Sequence, residues 1–369
     1  MEERMTVSMN KKPVYDIVYR EDFEGLQEEL EKLDTAKKKI CIVTDSNVGA
    51  LYADQIRAVV EKACAQVDVY TFEAGEEHKT LDTVKDIYRF LIEKHYDRKD
   101  MLLALGGGVV GYTCGYAAAT YLRGVSFVQV PTTLLSMVDS SIGGKTGVDF
   151  EQYKNMVGAF HMPKLVYMNL SVLSDLDERL YFSGFAEVMK SALIRDGIYY
   201  EWLIENMYEI CERDLETVKE MVYRCNQIKR AIVEKDPTEQ GERALLNLGH
   251  TLGHAIEKYK NFEMLHGECV ALGCVAAAYI SWKKELLSME EYYEVRDKFV
   301  PFNLPISIDE IEPEKIVALT KSDKKMEAGQ IKFVLLKKIG KAFVSHDVTD
   351  EEMLAAVKEI YFSEEDERA

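Results

Sequence analysis

The sequence predicts an α/β N-terminal domain with a mostly parallel sheet, residues 1–176, followed by a mainly α-helical C-terminal domain, residues 177–369. Two observations predict this. Short β-branched apolar runs alternate with helical periodicities from Lys39 to Asn169, and after Leu176 helical periods dominate. KKICIVTD is the first strand, and a helical period over 47–65 follows it. VDVYTF is the second, leading through the turn AGEEHKT into an amphipathic helix that ends near Lys94. MLLALGGGVVG is a third strand running into glycines, SFVQVPTT a fourth and KLVYMNL a fifth. Strands separated by helices imply parallel neighbours covered on both faces. Past the boundary, SGFAEVMKSALIRD, LETVKEMVYRCNQIKRAIVEK and ECVALGCVAAAYISW read as helices, and QIKFVLLKKIGKAFV as a late hairpin.

At 369 residues, 47% hydrophobic and 30% charged, the chain is long enough to bury two cores. No apolar run reaches the length of a membrane span; 269–282, interrupted by glycine, reads as a buried helix. A net charge of −18 argues against a nucleic-acid partner, which needs a basic face. It leaves room for a small anion held by local cations. Seven cysteines without a CxxC pair imply reduced thiols, with Cys41 and Cys274 as packing residues. The first residues lack the apolar stretch of a signal peptide, so a cytoplasmic protein is expected.

Three of the seven histidines fall within seventeen positions, in LNLGHTLGHAIE and HGECVALG. His250 and His254 share a helix face at i and i+4, and His266 opens the next apolar segment. Neutral imidazole is the commonest metal ligand, so the cluster reads as a metal site. A carboxylate would complete a catalytic set, and Glu187, Glu257 and Glu268 are all candidates. Glu187 and Lys190, at i and i+3, make either a surface ion pair or a ligand beside a cation. Gly106, Gly107 and Gly108 follow a strand, where glycine lets backbone N–H groups approach a pyrophosphate or simply packs tightly. The spacing is not GxGxxG. The GEEHK and PTT segments occupy loops after two other strands, where open α/β sheets bind ligands. From Arg123 the polar stretch supplies Asp139, Lys145, Lys154 and Asn155; Lys145, between Gly-Gly and Thr-Gly, suits a backbone that wraps an anion.

In order, GEEHK, GGGVVG, RGVSFVQVPTTLLSMVDSSIGGKTG, KNMVGAF, GFAEVMK, RALLNLGHTLGHAIE and HGECVALG resemble the 3-dehydroquinate synthase family, from about residue 40 to the C-terminus. The resemblance implies a Rossmann-like N-terminal domain in a dehydroquinate synthase-like fold. It implies a lyase of the shikimate pathway that turns 3-deoxy-D-arabino-heptulosonate 7-phosphate into 3-dehydroquinate and phosphate. The steps are transient oxidation by NAD, β-elimination, re-reduction and intramolecular aldol closure. NAD and Zn2+, with Co2+ as a substitute, are the implied cofactors, a small anionic keto-acid phosphate the partner, and a cytoplasmic homodimer the assembly. By matched position, Glu187, His250 and His266 would hold the metal. Asp45, Glu76, Lys79, Gly107, Gly108, Val109, Tyr112, Thr132, Thr133, Leu135, Asp139, Lys145, Lys154, Val172 and Asp175 would surround NAD. Arg123, Asp139, Lys145, Asn155, Lys190, Lys229, Arg243, Asn247, His254 and Lys324 would serve substrate and chemistry, with His254 a proton shuttle and Arg123 donated across a dimer interface.

The chain departs from the family pattern in three places. Tyr112 stands where aspartate is usual, which predicts altered NAD contacts without lost binding. Asp175 and Asp177 replace a threonine and a proline, and Pro237 replaces a glutamate after Asp236, where a helix start is expected. A sister cyclase acting on a neutral sugar phosphate is the nearest alternative; Lys229 and Arg243 would then lack a carboxylate to hold. A metal-dependent polyol dehydrogenase would not need the phosphate set of Lys145, Lys154, Asn155 and Lys324.

Overall fold

The structure is a computed structural model that describes residues 3–151, 153–321, 326–327 and 330–362; Lys324 and the acidic tail from Ser363 lie outside them. The chain divides into two compact units, Met1–Leu176 and Asp177–Ala369. Among the described residues no helix is long and apolar enough to cross a membrane.

The first unit opens with β1 (Arg4–Met9) and β2 (Lys12–Arg20), then α1 (Leu26–Glu31), β3 (Lys39–Asp45), α2 (Ser46–Val60), β4 (Gln66–Phe72) and α3 (Leu81–Glu93). It continues with β5 (Met101–Gly106), α4 (Gly108–Thr120), β6 (Ser126–Pro131), β7 (Lys145–Phe150), β8 (Tyr153–Phe160) and β9 (Leu165–Asn169). The sheet runs β1-β2-β9-β6-β5-β3-β4, and every pair except β1–β2 is parallel. β5 is buried along its whole length, as a strand covered on both faces must be. From β3 the chain first steps out to β4, then returns to β5 on the other side of β3. The loops after β3 and β5 therefore diverge at a switch point, where α/β sheets take their ligands.

Two hairpins of this unit escape the sequence reading. β1 and β2 turn through Asn10 and Lys11, both left-handed (φ 52 and 63), a hairpin turn without the usual Asn-Gly signal. β7 and β8 pair antiparallel, with Lys145 opposite Phe160. Lys145 is thus the first residue of a strand, and the anion-wrapping loop expected around it is corrected. Only Gly143 and Gly144, at φ 95 and 66, make the turn before it.

The second unit holds α5 (Glu178–Arg195), α6 (Gly197–Glu205), α7 (Met207–Cys211), α8 (Leu215–Lys235), α9 (His250–Tyr259), α10 (His266–Lys283), α11 (Met289–Asp297), α12 (Pro313–Thr320) and α13 (Asp350–Ile360). The short pair β10 (Met326–Glu327) and β11 (Gln330–Ile331) precedes the expected hairpin, β12 (Phe333–Lys338) and β13 (Lys341–Ser345). Asp177 caps α5, accepting from the Leu180 N–H, so the proline it replaces is exchanged for a helix cap.

α10 is the central helix, packed by α9, α5, α13 and α11. Glycines set how closely. A Cβ on Gly273 would fall 1.8 Å from the Gly249 carbonyl oxygen, and one on Gly267 would fall 1.8 Å from that of Ser183. Backbone therefore touches backbone at both places, drawing α10 against the start of α9 and against α5 one turn before Glu187. The helix start expected at Asp236-Pro237 is also corrected. Asp236 ends α8, and its carboxylate accepts the N–H groups of Gln240, Gly241 and Arg243 at 2.9, 2.7 and 3.0 Å. Against the effect of burial, those N–H groups hold it below its ordinary pKa.

Candidate active site

The glycine contacts bring three helices to one point. Glu187 from α5, His250 from α9 and His266 from α10 present ligand atoms all within 4.8 Å of one another. Glu187 Oε1 lies 3.5 Å from each Nε2, of His250 and of His266. The far ring nitrogens are engaged. His250 Nδ1 is 3.0 Å from the Leu248 carbonyl, an acceptor only, so Nδ1 carries the proton and Nε2 keeps its lone pair. His266 Nδ1 faces Glu257 Oε2 at 3.6 Å. Metal-ligating histidines are ordinarily oriented in this way.

Of the three candidate acids, Glu187 faces both imidazoles. Glu268 is occupied: Arg179 grips both of its oxygens at 2.6 and 2.8 Å, and it receives the Leu265 N–H. Glu257 orients His266; with His254 and His266 it also forms a second group able to hold a cation. The Glu187–Lys190 pair is not on the surface. Both residues are 1% exposed, and Lys190 Nζ donates to Glu187 Oε2, leaving Oε1 toward the imidazoles.

Lys229 and Arg243 are buried as well, and Asn247 and His254 half-buried. Burial pushes the Cys225 thiol, also on α8, up to about 12. The 3₁₀ turn Glu242–Asn247 packs on α5 and α8. Arg243 Nη1 donates to the Pro237 carbonyl at 2.6 Å, and Asn247 Nδ2 to Glu239 Oε1 at 3.0 Å. Lys190, Lys229 and Arg243 are thus three buried cations on α5, α8 and the turn packed against both.

Burial pushes the His266 imidazole down, yet Glu187 and Glu257 more than reverse this and raise it to about 9. A histidine raised in the folded state stabilises fully below its unfolded value near 6.5, and that stability is lost as pH rises through about 9. Metal competes with the same proton. Metal-free protein should therefore melt progressively lower from pH 6.5 to 9, while the gain in Tm on adding zinc grows across that window. Melts with chelator and with zinc at both ends check it. Glu257→Gln, which weakens the grip on Nδ1 without touching a ligand, should lower metal affinity by about 10–100-fold. Competition against a chromophoric chelator measures this.

In the first unit, Gly107 caps α4, whose first N–H groups point out beyond β5. A Cβ on Gly107 would meet Thr133 Cγ2 at 3.2 Å, and one on Gly108 would meet Ser140 Oγ at 3.2 Å, so the loops after β5 and β6 touch. Val109 and Leu135 flank them half-buried, and Asp139 lies in the turn Ser136–Ser140. The buried hydroxyls of Thr44 and Thr132 make no hydrogen bond among the described residues. Lys79, Glu76 and Lys154 form a second group: Lys79 Nζ is 3.0 Å from Glu76 Oε1 and 3.5 Å from Asp149 Oδ1, and Lys154 Nζ is 3.7 Å from Glu76 Oε1. Tyr112 lies under Lys79, its ring centroid 5.1 Å from the ammonium.

Asp45 caps α2, accepting from the N–H groups of Asn47 and Val48. Val172 is buried in a 3₁₀ turn and Asp175 is exposed. Asn155 is exposed at φ 52. Arg123 is exposed beyond the far end of α4, a helix of 13 residues, about 20 Å long, that begins at the glycine loop. The sequence reading missed Asp149 and the orienting parts of Leu248 and Glu257. Asp149 falls between two of the quoted motifs, and the β7–β8 hairpin brings it to Lys79.

A parallel α/β unit with a glycine-opened helix, together with a helical unit carrying two histidines and a glutamate, is an architecture that this chain shares with a solved cyclase and with solved dehydrogenases. The 2-epi-5-epi-valiolone synthase of Streptomyces hygroscopicus, solved with NAD+ and Zn2+ bound, matches at TM-score 0.87 and 28% identity, over 99% of this chain and 100% of that one. A glycerol dehydrogenase from Sinorhizobium meliloti, 13% identical at TM-score 0.64, covers 93% of this chain and 95% of its own and shares the fold alone. The family described as 3-dehydroquinate synthase N-terminal matches residues 69–183, and 3-dehydroquinate synthase C-terminal matches 184–326. The 3-dehydroquinate synthase of Acetivibrio thermocellus is 42% identical over 319 residues, 86% of this chain and 89% of that protein. That of Ruminiclostridium cellulolyticum is 39% identical over 354 residues, 96% and 98%. The chain belongs to the 3-dehydroquinate synthase family.

Proposed function

We propose that this chain converts 3-deoxy-D-arabino-heptulosonate 7-phosphate to 3-dehydroquinate and phosphate, using NAD that is regenerated each turnover and a divalent cation. The observation that carries the reading is the convergence of two Nε2 atoms on Glu187 Oε1 beside Lys190, with Lys229 and Arg243 buried in elements packed on α5. Both groups fit the residues present. Two imidazoles and a carboxylate suit zinc and accept cobalt. The free buried hydroxyl of Thr132, beside the Gly107 helix start, suits a dinucleotide. When bound, NAD supplies a reversible hydride acceptor and the cation a Lewis acid for the substrate oxygen.

The chain's own residues bind, orient and move protons. Lys190 fixes Glu187 through Oε2. Lys229 and Arg243 hold the substrate carboxylate and hydroxyls, Asn247 donates to a hydroxyl, and His254 carries a proton on its ring nitrogen. Gly107, Gly108 and Val109 offer backbone N–H groups to the pyrophosphate, with Thr132, Thr133 and Leu135 alongside. Asp45, Glu76, Lys79, Tyr112, Asp139, Lys154, Val172 and Asp175 complete the cofactor's surroundings. Lys145, Asn155 and Lys324 serve the substrate phosphate. Arg123, exposed and remote from the glycine loop, completes a partner's site in a cytoplasmic homodimer.

The test incubates zinc-loaded protein with catalytic NAD and the seven-carbon keto-acid phosphate, following phosphate and dehydroquinate together. Equal release without accumulating NADH supports the reading. No phosphate release defeats it and turns the test to sedoheptulose 7-phosphate, the sister-cyclase reading favoured by the whole-chain match to a valiolone synthase. Net NADH from a polyol would indicate a dehydrogenase.

A further inference from the structure

Tyr112 changes what Lys79 rests on. Lys79 is buried, and a ring face attracts its ammonium through a quadrupole but brings no charge. A buried cation needs a carboxylate. Glu76, the nearer one at 3.0 Å, is more than a third exposed and is shared with Lys154. Asp149 lies 3.5 Å away and is mostly buried. Its position is fixed twice over: its N–H donates to the Lys79 carbonyl at 2.8 Å, and its Oδ1 accepts the Asn155 N–H at 2.7 Å. The carboxylate is therefore presented by the β7–β8 hairpin itself, not by a freely rotating side chain.

We propose that Asp149 is the positioning residue for Lys79, with the Tyr112 ring as the uncharged wall beside it. In this chain α4 offers Lys79 an uncharged ring, and β7 offers it a carboxylate. Asp149 and Tyr112 together aim the Lys79 ammonium at the bound dinucleotide. The inference rests on the cofactor reading above and adds a residue to it.

The test compares NAD affinity of the zinc-loaded full chain by titration calorimetry for wild type, Asp149→Asn, Tyr112→Asp and the double variant. Asp149→Asn should weaken NAD roughly ten-fold or more, the scale of one charge-assisted contact. The NAD KM should rise by the same factor. Adding Tyr112→Asp to Asp149→Asn should recover most of that loss, because the charge returns from the other side of Lys79. Zinc affinity, read in the other unit, should stay at the wild-type value, and an unchanged thermal melt reports that each variant's first unit is folded. Equal NAD affinity in wild type and Asp149→Asn overturns the proposal, as does a loss that Tyr112→Asp does not restore. Wild type that binds zinc but no NAD defeats the cofactor reading itself, and that result needs no variant.

Discussion

Glu187→Gln is expected to strip the divalent cation from the protein and lower turnover by at least about 100-fold, since changes behind the ligands alone cost about 10–100-fold. The amide keeps the shape but removes the charge that both imidazoles face. It also leaves Lys190 buried without its carboxylate, and breaking a buried pair from one side destabilises by about 3–5 kcal/mol. Metal content after dialysis, with thermal melts, checks both effects. Glu187→Asp separates them: the charge stays with Lys190 while the reach shortens, so metal should be lost with a smaller fall in Tm. Full metal content in Glu187→Gln would transfer the assignment to the other donor group, His254, Glu257 and His266.

Lys229→Met should raise the KM for the seven-carbon keto-acid phosphate by roughly 10–100-fold, the scale of a charge-assisted hydrogen bond. Methionine retains much of the length and apolar stem at this buried position on α8. The informative comparison is with sedoheptulose 7-phosphate, which has no carboxylate. Its binding should change little. An equal loss for both compounds would mean that Lys229 holds the phosphate, and the carboxylate assignment would fall.

The parallel strands β3, β4, β5, β6 and β9 were legible because each is a short apolar-rich run ending in a turn, and the loops after them follow from that order. Two of the three grouped donors were legible as histidines, His250 from its i and i+4 relation to His254 on one helix and His266 from its place at the opening of the next apolar segment. The third ligand was not. Glu187 lies on α5, far along the chain from His250, and joins it only through the contacts of Gly267 with Ser183 and Gly273 with Gly249. Glu268 looked equivalent until Arg179 was seen to occupy it. Lys145 was read as part of a loop because Gly-Gly precedes it. Strand pairing with Phe160 decided otherwise, and pairing depends on residues beyond the local window. The Asn10-Lys11 turn hid the first hairpin for the same reason: neither residue announces a positive φ.

The two metal-facing imidazoles are oriented by different kinds of group. His250 leans on the Leu248 carbonyl, which every amino acid at position 248 would still provide. His266 leans on a side chain, Glu257. Heritable adjustment of the electron donation reaching the cation can therefore enter through position 257, while the His250 side is held constant by the main chain. A directed-evolution campaign seeking cobalt or iron preference would do best to randomise residue 257 first and leave residue 248 alone.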